Sequence, residues 1–206
     1  SAGQRCLAGS VIVGVGEAYA PIRERFLDTA SSLRLGYGLD EGVEMGPVAS
    51  ARHRERIRGY IDRGEAEGAR LVLDGRGATV DGYPNGQWVG PTVFEDVTPD
   101  MPLGREEVFG PVAAFTRVDS LEEAVALMHR VEYGNATSIF TTSGRAAREF
   151  RYRAGISMIG VNIGVAAPMA FFPFGGSRGS FYGDLKAQGS DAIAFYTDRR
   201  VVISRW

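Results

Sequence analysis

A regular alternation of short apolar runs and amphipathic stretches over residues 112–162 constrains the fold more than any other feature of the chain. The apolar runs are typical of buried strands, and each amphipathic stretch follows a serine that can cap a helix. The predicted elements are a strand over 112–118, a helix from the Ser120 and Glu123 capping box to about residue 131, a strand over 137–141, a helix over 144–153 capped by Ser143 and a strand over 157–162. Because strand–helix–strand connections place consecutive strands parallel, the pattern predicts an α/β fold with a mainly parallel sheet flanked by helices.

The N-terminal part of the chain adds further elements of the same kind. They are a strand over 9–15, a helix over 17–33, a helix from the Ser50 cap to about residue 68 and a strand over 70–73. In the helix after Ser50, the candidates for the buried face are Ile57, Tyr60, Ile61 and Ala66.

The C-terminal part of the chain has a different pattern. Residues 164–189 lose all periodicity, which predicts a long structured loop of the kind that carries function. Residues 192–206 alternate again and predict an extended tail strand. We therefore expect an α/β domain over 1–162, followed by a structured loop and tail over 163–206.

The composition of the 206 residues fits a folded protein with a buried core, and it narrows the possible partners. Hydrophobic residues make up 44% of the chain, and the formal net charge is −2. This balance supplies no basic face for nucleic acid or for an acidic membrane, which leaves small molecules and proteins as partners. With a single cysteine and no apolar run of about 18 residues, we expect a reducing, cytoplasmic compartment. One Cys and two separated His give no metal-ligand spacing, so no metal is predicted.

The single thiol is the first candidate for chemistry. Cys6 follows Gly3, which permits a tight turn, and Arg5, which places a fixed positive charge beside the sulfur. A neighbouring cation favours the thiolate, the nucleophilic form of cysteine. The residues alone leave a second interpretation open, in which Cys6 is an inert core residue. Neither His53 nor His129 is a convincing general base for it, because both fall in amphipathic helices among charged neighbours.

Two other segments are candidates for ligand binding. Glu106 and Glu107 come shortly before Phe109 and a Gly-Pro turn that leads into a strand, and a carboxylate in such a place can accept hydrogen bonds from ribose hydroxyls. The alternative is a solvated acidic pair. The glycine-rich residues 173–179 resemble a phosphate-binding loop only weakly, because they lack both the GxGxxG pattern and the P-loop lysine. For them the alternative is a plain connection.

Short motifs along the whole chain resemble, in order and spacing, the C-terminal half of the aldehyde dehydrogenase superfamily. They include Gly3-Gln4-Arg5-Cys6, Met45-Gly46-Pro47, Gly90-Pro91-Thr92, Glu107-Val108-Phe109-Gly110-Pro111, Tyr133-Gly134-Asn135, Gly160-Val161-Asn162, Gly175-Gly176-Ser177-Arg178 and Phe195-Tyr196-Thr197. Within the superfamily, Arg5 directly before the cysteine, the stretch 176–184 and the terminal Trp206 look most like the CoA-acylating methylmalonate-semialdehyde dehydrogenase branch.

The resemblance implies a cysteine mechanism that needs no histidine partner. It implies that Cys6 is the catalytic nucleophile, that Glu107 binds the nicotinamide-side ribose of NAD and that Phe109 lies beside the same half of the cofactor. Arg5 is the implied partner of the substrate carboxylate, and Phe174 is the implied aromatic wall of the substrate channel. NAD is then the cofactor, and CoA is the co-substrate that takes the acyl group in place of water.

The resemblance also implies what these residues lack. Superfamily members are longer, and their N-terminal part holds a Rossmann-type NAD-binding domain, so we expect the 206 residues by themselves to be inactive. We expect the C-terminal strand to serve homo-oligomerisation. Two alternatives to a CoA-acylating semialdehyde dehydrogenase stay open. They are a hydrolytic NAD-dependent dehydrogenase of another acidic semialdehyde and a non-catalytic assembly module.

Overall fold

The computed structural model describes all residues from 1 to 206, which form two compact units, Ser1–Val131 and Glu132–Trp206. The first unit contains β1 (Val11–Val15), a 3-10 helix (Gly16–Ala18), α1 (Tyr19–Ser32), α2 (Ala51–Ala66), β2 (Arg70–Leu73), β3 (Thr92–Glu95), α3 (Pro102–Arg105), β4 (Val112–Val118) and α4 (Leu121–His129). The second contains β5 (Tyr133–Gly134), β6 (Ala136–Ile139), α5 (Gly144–Arg153), β7 (Met158–Val161), β8 (Ser177–Arg178) and α6 (Gly189–Tyr196). None of the helices is long and apolar enough to cross a membrane.

The first unit is built on a four-stranded sheet with the strand order β1-β4-β3-β2. Strand β4 pairs in parallel with β1 on one side and with β3 on the other, and β2 adds an antiparallel edge. The predicted α/β fold with a mainly parallel sheet is therefore confirmed, and the strands predicted over 112–118 and 70–73 have the observed bounds. Strand β3 was not predicted, and all four of its residues are buried.

Helices cover both faces of this sheet, because successive side chains of a strand point to opposite sides. In β3, Phe94 belongs to a core cluster with Ile57 and Ile61 of α2. The neighbouring Val93 belongs to a second cluster, which includes Ala30 of α1 and Phe115 of β4. The sheet is thus the middle layer between α1 and α2.

The inward face of α2 is close to the prediction. Ile57, Tyr60 and Ile61 are buried as predicted, but Ala66 is exposed, so its assignment to the core was wrong. The next buried residue after Ile61 is Gly64, where a Cβ atom would lie 2.3 Å from Cδ1 of Leu103. Residue 66 is about 200° around the helix axis from residue 64, and it therefore faces solvent.

The three predicted serine caps are confirmed. The side chain of Ser50 accepts a hydrogen bond from the backbone N–H of His53, and Ser120 and Ser143 accept one in the same way, three residues ahead in each case. The Glu123 carboxylate in turn accepts a hydrogen bond from the backbone N–H of Asp119 at 2.9 Å. Each helix begins at the residue after its cap because the serine satisfies an N–H that has no partner within the helix.

The second unit corrects one implication of the sequence pattern. Strands β6 and β7 are parallel and joined by α5, as predicted, but they form their own two-stranded sheet instead of continuing from β4. The long loop is structured, as expected. It contributes β8, which pairs with β5, and an isolated bridge between Phe174 and Ala187.

The tail strand predicted over 192–206 is wrong for residues 192–196, which belong to a helix. Residues 189–196 form the helix α6, and residues 197–206 have no secondary structure within this chain. The Asp191 carboxylate accepts a hydrogen bond from the backbone N–H of Lys186 at 2.9 Å and orders the start of the helix. A strand needs a partner for its backbone groups, and no strand of this chain pairs with residues 197–206.

A buried carboxylate ties α1 to the edge of the sheet. Glu95 has no exposed surface, and its two oxygens accept hydrogen bonds from Arg23 of α1 and Arg70 of β2. Arg70 also pairs with the exposed Asp96 at 3.2 Å. The pKa of nearby Tyr19 is raised, mainly because its hydroxyl is partly removed from water and secondarily because of the negative charges of Glu95 and Asp96. Two cations thus compensate one buried anion, as a charge without access to water requires.

Replacing Glu95 with Gln is expected to lower the free energy of unfolding by about 2 kcal/mol, because two arginines lose their shared acceptor charge. The loss stays below that of a wholly buried pair because both arginines keep contact with water. Urea denaturation measures it. The control Asp96→Asn removes only an exposed partner of Arg70 and is expected to change stability little. Equal losses for the two variants would contradict the role of the buried charge.

Candidate active site

The N-terminal turn presents Arg5 and Cys6 to solvent. The turn is closed by a bond from the backbone N–H of Gln4 to the carbonyl of Ser1 and by one from Ala8 to the carbonyl of Arg5, each 2.9 Å long. Ala2 and Leu7 on either side are buried, whereas Arg5 and Cys6 are exposed. Cys6 is therefore exposed, and the alternative that places it in the core is wrong.

A backbone contact joins this turn to the segment 106–111. Gly3 has φ +67°, and a Cβ atom built on it would lie 1.9 Å from the carbonyl oxygen of Gly110. No other residue fits this position, because both the conformation and the close approach require glycine. The turn is also held by Gln4, whose side-chain oxygen accepts a hydrogen bond from the backbone N–H of Ala49 at 3.0 Å.

The segment 106–111 has one inward side chain between two outward ones. Val108 is buried in the core, whereas Glu107 and Phe109 are exposed. Phe109 has φ +57°, a left-handed conformation that is uncommon for an aromatic residue. Gly110 then passes over the fully buried Ile57, where a Cβ atom would lie 2.6 Å from the Ile57 side chain.

Side chains of α2 bind the backbone of this segment. Arg56 donates one hydrogen bond to the carbonyl of Glu107 and one to the carbonyl of Val108, both at 2.9 Å. His53 lies with Nε2 at 2.7 Å from the carbonyl oxygen of Phe109. Since a carbonyl can only accept, Nε2 carries the proton in this contact.

The two adjacent glutamates have different surroundings. The hydroxyl of Tyr60 donates to a carboxylate oxygen of Glu106 at 2.7 Å, and Arg105 lies 3.9 Å from the other oxygen. The carboxylate of Glu107 makes no hydrogen bond or ion pair in the structure. Of the two, Glu107 is therefore the one whose acceptor oxygens face solvent on a fixed backbone.

Four of the five predicted site residues lie in the first unit, and the Gly3–Gly110 contact brings the segments that carry them together. Arg5 and Cys6 lie on one segment, and Glu107 and Phe109 lie on the other. The fifth, Phe174, belongs to the second unit. It is half-buried and held by two backbone hydrogen bonds with Ala187, 2.6 and 2.9 Å long. No group of three or more His, Cys, Asp and Glu side chains in the structure could hold a metal ion.

Sequence reasoning missed His53, Arg56 and Tyr60 as parts of the site. His53 was considered only as a general base for Cys6 and set aside. Its ring centre lies 6.3 Å from that of Phe109, and its Nε2 bonds to the Phe109 carbonyl. The spacing 53, 56 and 60 places these side chains on one helix face, which is a signal that was available. The carbonyls that they bind give no signal in the sequence, because every residue has one.

With this geometry established, comparison with known proteins identifies the class. The model of the aldehyde dehydrogenase family matches residues 1–202. The chain belongs to the aldehyde dehydrogenase family.

Individual relatives narrow the similarity. The chain is 45% identical to a malonate-semialdehyde dehydrogenase from Halalkalibacterium halodurans, over all of this chain and 42% of that protein. Among solved structures it matches a Sinorhizobium meliloti protein assigned as a methylmalonate-semialdehyde dehydrogenase and complexed with NAD, with a TM-score of 0.97 and 44% identity over 100% of this chain and 42% of that one. It also matches the structure of the methylmalonate-semialdehyde dehydrogenase from Oceanimonas doudoroffii, with a TM-score of 0.96 and 42% identity over 100% of this chain and 42% of that one. The chain thus spans about two fifths of the length of these relatives.

Replacing Arg5 with Ala is expected to slow the alkylation of Cys6 by iodoacetamide at neutral pH about two- to threefold, because a fixed cation no longer favours the exposed thiolate. The rate is followed by mass spectrometry, which reads the single cysteine directly. Arg5→Lys keeps the charge and serves as the control, with a rate near that of the unmodified protein. An unchanged rate in the Ala variant would show that Arg5 does not act on the thiol.

Proposed function

We propose that this chain is the thiol-bearing catalytic part of an NAD-dependent, CoA-acylating semialdehyde dehydrogenase. Its substrates are methylmalonate or malonate semialdehyde, and its products are propanoyl-CoA or acetyl-CoA. The observation that carries the proposal is the exposed Cys6 beside Arg5, on a turn that packs against the segment bearing Glu107 and Phe109. The similarity to malonate-semialdehyde dehydrogenases supports the choice of substrate.

The chemistry begins at the thiolate of Cys6, which attacks the aldehyde carbon and forms a hemithioacetal. The developing oxyanion lies close to the nucleophile, where the backbone N–H of Cys6 can donate to it. Arg5 pairs with the free carboxylate of the substrate, for which the planar guanidinium supplies two parallel donors. Phe174 adds an aromatic wall to the substrate channel in this proposal.

Two exposed side chains suit the cofactor. Glu107 offers a carboxylate without a protein partner, which fits the vicinal hydroxyls of the nicotinamide-side ribose, and Phe109 offers an exposed ring beside it. NAD supplies the hydride acceptor that turns the hemithioacetal into a thioester. The role of these residues is to orient the cofactor, because hydride transfer depends on a close and fixed geometry.

The thioester on Cys6 is then open to attack by the thiol of CoA, which takes the acyl group and returns the cysteine thiol. Because malonate semialdehyde has three carbons and the acetyl group has two, the substrate carboxylate must leave as carbon dioxide. The proposal includes a cytoplasmic location, since the nucleophilic thiol has to stay reduced.

Two other functions compete with this one. A hydrolytic dehydrogenase of another acidic semialdehyde would use the same Cys6, Arg5 and Glu107 but release a free acid. A non-catalytic assembly module would keep the fold and lack turnover. We favour the dehydrogenase because the candidate nucleophile and its neighbours are exposed together.

In the complete protein, malonate semialdehyde with NAD and CoA is expected to yield NADH and a CoA thioester in equal amounts, because the thiol replaces water at the thioester. Liquid chromatography with mass detection separates thioester from free acid. The 206 residues alone are expected to form no NADH, which makes them the matched control. Free acid in the presence of CoA would favour the hydrolytic alternative, and absence of NADH from the complete protein would favour the assembly module.

The protein is expected to form homodimers or larger oligomers in solution through residues 197–206. Val202, Ile203 and Trp206 are strongly exposed there, and residues 197–206 have no strand partner within this chain, so their backbone groups can pair with another copy. Light scattering measures the mass, and Ile203→Asp is expected to shift it towards the monomer. Leu39→Asp is the control, because Leu39 is exposed in a loop of the first unit. A monomer well above micromolar concentration would contradict the prediction.

A further inference from the structure

Three consecutive carbonyl groups in the segment 106–111 are bound by only two side chains of α2. Arg56 donates hydrogen bonds to the carbonyls of Glu107 and Val108, and His53 donates one to the carbonyl of Phe109. The bonds are 2.7 to 2.9 Å long and all run to the main chain. The two side chains thus fix the path of the backbone and leave the carboxylate of Glu107 without a partner.

The segment needs such support because its conformation is strained. Phe109 adopts φ +57°, which bulky side chains avoid unless the surroundings enforce it. Neither Glu107 nor Phe109 is buried, so the direction of both side chains depends on the backbone between them. Val108 alone anchors the segment in the core through its side chain.

The guanidinium of Arg56 suits this task. Its two terminal nitrogens bind two successive carbonyls at once, in the fixed fork geometry that a flexible ammonium group lacks. The guanidinium also donates to the hydroxyl of Tyr60 at 3.3 Å and lies 5.0 Å from the centre of that ring. Tyr60 is buried, so Arg56 is itself held in one orientation.

We propose that Arg56 is a positioning residue for the cofactor half of the site, with His53 as its second support. By binding the carbonyls of Glu107 and Val108, it sets the direction in which the Glu107 carboxylate and the Phe109 ring point. This inference rests on the proposed function, in which those two side chains orient the nicotinamide half of NAD. Arg56 acts on the reaction through the backbone of residues 107–109.

The test compares Arg56→Met and Arg56→Lys with Arg52→Met in the complete protein. Arg52 is an exposed arginine one turn earlier on α2 whose side chain makes no hydrogen bond or ion pair, so it is the matched control. For Arg56→Met we expect KM for NAD to rise about tenfold or more and kcat to fall, because the acceptor oxygens of Glu107 lose their fixed position. Arg56→Lys keeps one bond and is expected to lie between the two.

Two further measurements distinguish a local loss of order in the segment 106–111 from a general loss of structure in the Arg56→Met variant. The rate at which a glutamyl endopeptidase cuts after Glu106 or Glu107 is expected to rise about tenfold in Arg56→Met, because the segment opens locally more often. Alkylation of Cys6 by iodoacetamide is expected to stay unchanged, because the N-terminal turn keeps its own hydrogen bonds.

Unchanged kcat and KM for NAD in Arg56→Met would overturn the inference, whatever the endopeptidase shows. Equal changes in Arg56→Met and Arg52→Met would also overturn it, since the effect would then come from lost surface charge. The failure of the proposed function looks different, because the unmodified protein would then form no NADH with any aldehyde. In that case the endopeptidase rates still decide whether Arg56 fixes the segment.

Discussion

The candidate site depends on one close approach between two backbone segments. Gly3 lies against the carbonyl of Gly110 at a distance that leaves no room for a Cβ atom. Gly110 in turn lies against Ile57 of α2, which is fully buried on one face of the sheet. The turn that carries Cys6 is therefore located relative to Glu107 through two successive contacts, the second of which reaches the core of the first unit.

Main-chain groups and exposed side chains have different roles in this site. Main-chain groups determine where the segments run, through the turn bonds of residues 1–8 and through the carbonyls bound by His53 and Arg56. Side chains that face solvent remain available for chemistry, namely the Cys6 thiol and the Glu107 carboxylate. A group that already makes a hydrogen bond within the fold is less available to a ligand. Because main-chain groups hold the segments, the exposed side chains remain available for binding and chemistry.

Elements with strong local signals were predictable from the sequence, and those defined by their neighbours were not. The serine caps and the strand over 112–118 follow from spacing within a few residues, and both are confirmed. Strand β3 is defined by its pairing with β4 and β2. The alternation of residues 192–196 suggested a strand, but these residues belong to the helix α6. Motifs led to the proposal of Cys6, Arg5, Glu107 and Phe109 as site residues. The supports at His53 and Arg56 bind carbonyls, which residue type does not encode.

The attachment of residues 107–109 through their carbonyls has a consequence for how such a site can change over time. Because α2 binds the main chain, a substitution at position 107 alters the exposed group without altering the hydrogen bond that holds it. Different side chains can therefore occupy this position on the same backbone with little loss of stability. The hydrogen bonds that make the segment rigid therefore also allow its exposed side chain to change during evolution.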